Sequence, residues 1–71
     1  MYTKETIEKL IGHKGLLRIS YINGDDELTS DSGVIQSIIR DAMIFEVKDG
    51  TIDHGRKKVI YFRYIKNIEA P

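Results

Sequence analysis

The sequence contains no cysteine, which excludes disulfides, thiolate zinc sites and cysteine nucleophiles. No apolar run approaches the roughly 20 residues that span a bilayer, and no signal-peptide pattern opens the chain. These absences predict a soluble, cytoplasmic protein with no membrane partner. Histidine is scarce: His13 and His54 lie far apart, and neither has a ligand-spaced partner. Net charge is absent too, with 11 basic residues against 11 acidic ones, which argues against a generic polyanion coat. Above all the chain is short. Its 71 residues make one domain, 1–71, with no room for a second. So small a core is marginally stable unless something supplements it. With disulfides and thiolate metal sites excluded, self-association is the expected supplement.

The opening twelve residues pattern as one short helix. Thr3 suits the N-cap, Ile7, Leu10 and Ile11 share a face, and Glu5 and Lys9 form an i, i+4 pair. Gly12 is expected to end it in a left-handed conformation. Beyond Gly15 the isoleucine-rich composition favours strands, since a β-branched side chain suits a pleated surface. The first strand spans residues 16–23, with Leu17, Ile19 and Tyr21 on one face, and ends at the turn signal Asn23-Gly24. A long second strand spans residues 27–39, with a bend or bulge at Ser30-Asp31-Ser32-Gly33. Arg40-Asp41 turns into a third strand, residues 42–48, in which Met43, Phe45 and Val47 alternate. A loop follows from Asp49 to Gly55, then a fourth strand over residues 57–62. A tight corner near Arg63-Tyr64 leads into a fifth strand, residues 65–69. The fold class is mainly β: a short N-terminal helix on five antiparallel strands, bent strongly enough to curl into a small barrel. The helix stripe is expected to cover its open end.

Catalytic constellations are absent. Asp25, Asp26 and Glu27 are adjacent carboxylates, but on a turn, where such runs are solvated. Asp49, Asp53 and His54 lack the oxygen ligands of a calcium loop and make a weak zinc set. No serine has a nucleophile-elbow context, and no glycine-rich phosphate loop precedes a helix. The expectation is a non-enzyme without metal or cofactor. Charge segregation points toward binding instead. Eight acids and two bases fall between Gly24 and Asp53, whereas five bases and no acid fall between His54 and Ile68. The basic stretch from Arg56 to Lys66 interleaves aromatics, a combination that suits single-stranded nucleic acid. The same alternation would equally serve a strand with core or interface aromatics and a wet basic face.

The order of elements resembles the Sm-like family, and within it the Hfq branch of bacterial RNA chaperones. Residues 17–24, LRISYING, resemble the family's apolar strand closing on a glycine. Residues 33–38, GVIQSI, resemble its glycine-led continuation of the second strand. Residues 60–68, IYFRYIKNI, are similar to the segment preceding the family's last strand, with Phe62-Arg63 where the pattern carries Lys-His. The resemblance implies a homo-oligomeric ring of about five to seven subunits, closed by pairing of fourth and fifth strands between neighbours. It implies single-stranded RNA as partner, and places Arg63, with Tyr61, toward a central pore. Lys57, Lys58 and Arg40 are the further expected RNA contacts. Should Arg63 instead only order the corner, its partner would be Glu46 or Glu69. Two other classes share such a barrel: a protein–protein adaptor, which the acidic stretch Asp25–Asp31 would suit, and a ligand-sensing module of the WYL type.

Overall fold

The computed structural model describes residues 2–49 and 54–70. One helix, α1 (Lys4–Ile11), precedes five strands: β1 (Leu17–Ile22), β2 (Leu28–Ile39), β3 (Ala42–Val47), β4 (Lys57–Tyr61) and β5 (Ile65–Glu69). A single 3₁₀ turn, Phe62–Tyr64, joins β4 to β5. All pairings are antiparallel, and the strand order is β4-β3-β2-β1-β5.

This order corrects the expected barrel. The sheet bends but does not close, because no backbone ladder among the described residues joins β4 to β5. The corner instead carries the chain across one end of the sheet, and β5 spends its hydrogen bonds on β1, with Ile19 opposite Ile68. Both β4 and β5 are left as edges.

The bend comes from β2. Its first half pairs with β1, its second half with β3, and Gly33 belongs to both ladders, opposite Leu17 and Val47. A Cβ on Gly33 would lie 2.0 Å from the Glu46 carbonyl oxygen, so the strands can approach this closely only at a glycine. The register is unbroken across the expected bulge at Ser30–Gly33, and the shift in β2 falls later, between Ile35 and Ser37.

The concave face holds the core. Phe45, Ile7, Leu17, Ile19, Met43 and Val47 are essentially inaccessible. The alternations in β1 and β3 therefore hold as expected. Thr3 caps α1, its hydroxyl accepting from the Thr6 N–H. The helix stripe is narrower than expected: Ile7 is fully buried and Leu10 packs on the core, but Ile11, at the last helical position, is 40% exposed. Gly12 is not left-handed (φ −84°); the positive φ falls on Gly15. The first hairpin also differs. Asp26 N–H donates to the Asn23 carbonyl, and Asp26 itself takes φ 61°, so the loop is a β-turn followed by a left-handed residue. The Asn23 side chain organises it, its Oδ1 accepting from the Asp25 and Glu27 N–H groups.

Candidate functional site

The β2–β3 turn and the β4–β5 corner meet at one end of the sheet. Ile39 and Ala42 are register partners, which leaves Arg40-Asp41 as a two-residue turn with Arg40 at φ 56°. The Phe62 N–H donates to the Asp41 carbonyl at 2.9 Å and so ties the corner to this turn. The Phe62 ring is buried and anchors the 3₁₀ turn from below. Tyr61, in extended conformation, leads into the 3₁₀ turn that Tyr64 ends, and the two side chains come together across it. Their rings meet edge to face, 6.3 Å between centroids and 84° apart.

The Arg63 guanidinium lies against both rings, 5.0 Å from the Tyr61 centroid and 4.9 Å from that of Tyr64. Its Nη1 also stands 3.8 Å from Asp41 Oδ2. Both side chains are well exposed, so solvent screens this pair and it contributes little stability. The Arg63 pKa is raised, first by a hydrogen bond to Tyr64, with attraction to Tyr64 and Asp41 adding to it. Neither acid expected for a purely structural Arg63 is its partner. Glu46 binds Lys48 at 3.0 Å and accepts from Gln36, and Glu69 accepts from Asn67. The Lys48 contact lowers the Glu46 pKa.

Of the five expected RNA contacts, Arg40, Tyr61 and Arg63 gather at this end. Lys57 is exposed on β4 opposite Glu46, away from the corner. Lys58 turns the other way. It is the register partner of the buried Phe45, and its Nζ lies 3.0 Å from Asp31 Oδ2 on the concave side. The acidic stretch Asp25–Asp31 is thereby divided. Asp25, Asp26 and Glu27 stay on the exposed hairpin loop, whereas Asp31 is only 7% exposed and accepts from the Tyr21 hydroxyl at 2.6 Å. Burial foremost raises the Tyr21 pKa, and the hydrogen bond to Asp31 adds to it. For Lys58, burial pulls the pKa down, but the hydrogen bonds to Asp31 and Tyr21 together outweigh it and raise it.

Sequence reasoning missed Tyr64 and Asp41. The available signal for Tyr64 was the three-residue spacing from Tyr61 around an arginine at a turn. An open groove of about 790 Å³ is lined by Tyr61 and Tyr64, by Arg56 and Lys58, and by the hairpin loop. Among the described residues no group of His, Cys, Asp or Glu is placed to hold a metal. Residues 50–53, part of the weak metal set, lie outside the described residues. Among the described residues no helix is long and apolar enough to cross a membrane. Comparison with family models, curated proteins and solved structures returns no match.

Proposed function

We propose that this chain is an Sm-like, ring-forming protein that binds single-stranded RNA as a chaperone or scaffold. The observation that carries the reading is the corner itself. Two exposed tyrosine rings and one arginine are held together where two turns converge, on a scaffold pinned by the Phe62–Asp41 hydrogen bond. Exposed rings stack on unpaired bases, and a fixed cation attracts the backbone that links them. Arg40, on the adjoining turn, adds a second positive charge at the same end.

The ring part of the reading is supported by the two open edges. β4 and β5 terminate the sheet on opposite sides, so head-to-tail pairing of β4 with a neighbour's β5 would satisfy both. In such a ring each subunit would contribute its corner to a common circle of charge. The test is filter binding of homopolymeric RNAs to the purified protein at two salt concentrations, with light scattering for size. Salt-sensitive binding by a closed oligomer is expected. A monomer at micromolar concentration, or no RNA retained at low salt, would refute the reading.

One observation favours a different class, a protein–protein adaptor. The hairpin loop presents Asp25, Asp26 and Glu27 together and exposed, a surface that repels phosphate and suits a basic polypeptide. Purified protein free of nucleic acid absorbance that retains one specific polypeptide would select this reading.

A further inference from the structure

Asp31 is the only charged residue in the buried set of the described residues. A buried carboxylate needs compensation, and two donors supply it: Tyr21 Oη at 2.6 Å and Lys58 Nζ at 3.0 Å. Lys58 Nζ also lies 3.4 Å from Tyr21 Oη, so the three groups close a triangle. Their places in the sheet are unequal. Tyr21 and Asp31 stand on adjacent strands, β1 and β2. Lys58 stands on β4, beyond β3, in the order β4-β3-β2-β1. In a flat sheet Lys58, in line with Phe45 and Ile35, would stand about 10 Å from β2, two strand spacings, and about 13 Å further along it from Asp31. The contact exists only because the sheet curls, and no backbone ladder joins β4 to either partner strand.

We propose that Tyr21, Asp31 and Lys58 form a latch that holds the open sheet in its curl. Among the described residues β4 has one backbone neighbour, β3, and the latch ties it to the opposite side of the molecule. Tyr21 and Lys58 also line the groove beside β4. Closing or releasing the triangle therefore sets how far β4 stands from the β1–β2 hairpin, and so the width of that groove. The free edge of β4 moves with it. Lys58 is thus a positioning residue, and an anion entering the groove meets an ammonium already engaged by Asp31.

The proposal is independent of RNA binding and is tested by hydrogen exchange followed by mass spectrometry. Lys58→Met alone leaves Asp31 buried with one donor and destabilises the chain as a whole, so the informative protein is Asp31→Asn/Lys58→Met, which removes both charges. Wild type and variant are compared at a concentration where light scattering gives them the same assembly state. Amides of β4 in the variant should exchange at least about tenfold faster, while those of β1 stay as in wild type. Unchanged exchange in β4 would show that the triangle holds nothing. Equal acceleration in every strand would show that it supports the whole core and no particular strand. Either result overturns the latch.

Discussion

Lys58 and Arg63 are five positions apart in one basic stretch, yet they end in opposite circumstances. Lys58 lies within a strand, on its inward parity, and its ammonium is consumed by a buried carboxylate. Arg63 lies in a 3₁₀ turn, where strand alternation no longer applies, and its guanidinium rests on two exposed rings. The comparison teaches that a basic run is not one electrostatic object. Which of its charges faces solvent is decided by backbone geometry residue by residue, and only the outward ones contribute to the field that a ligand meets.

The comparison can be broken most forcefully at Lys58. Lys58→Met should destabilise the protein by about 3 kcal/mol, near the low end for a broken buried pair because the lysine side chain keeps some solvent access. Urea titration reads this directly. A loss below about 0.5 kcal/mol would place Lys58 with the surface cations instead. On the ring-forming, RNA-binding reading proposed above, Arg63→Ala should do the reverse. The melting temperature and oligomer size should hold, while RNA retention on filters falls several-fold and its salt dependence flattens. If the ring dissociates or melts earlier with unchanged affinity per intact ring, Arg63 is structural.

A gentler probe is Tyr21→Phe, which removes one donor to Asp31 and leaves the ion pair. About 1 kcal/mol of stability should go, measured by the same titration. Alkaline pH sharpens the same contrast without mutation. Tyr21 and Lys58 both have folded-state pKa values above their ordinary 10.0 and 10.5. Between those values and the raised ones the folded chain holds more protons than the unfolded chain, so stability falls as pH rises. The decline should begin near pH 10 in wild type, and the share due to these two groups should be missing from a Tyr21→Phe/Lys58→Met protein. The smallest effect belongs to Asp41→Asn. Its pair with Arg63 is exposed and screened, so the melting temperature should stay as in wild type, since the backbone tie through Phe62 remains.

Much of this was legible in the residues. The alternation of Met43, Phe45 and Val47 places β3 on the core, and the corner read near Arg63-Tyr64 falls within the observed turn Phe62–Tyr64. Asp31 was legible in principle. Counting back by two from Ile35 through Gly33 reaches it, so it shares their inward parity. Reading Asp25–Asp31 as a single acidic turn hid that. The partner of Asp31 was not legible at all, because Lys58 reaches it across an intervening strand, and only the curl of the sheet brings the two together. Closure was equally out of reach. Strand count and patterning allow both an open and a closed sheet, and the difference lies in where β5 finds its hydrogen bonds. At the candidate site, Arg63 and Tyr61 could be named from composition, but their contact depends on the corner's departure from strand geometry.

Gly33 has a consequence for how such a chain can drift through sequence space. It occupies the point where β2 passes from one neighbour to the other, and a Cβ there would overlap the backbone of β3, which cannot rotate out of the way as a side chain can. Alanine, the most conservative replacement available, is therefore as forbidden as any larger residue. Most positions in β2 ask only for a parity, outward or inward, and many residue types satisfy it. A descendant could exchange nearly all of its letters and keep its shape, provided that one letter near the middle of its longest strand stayed blank.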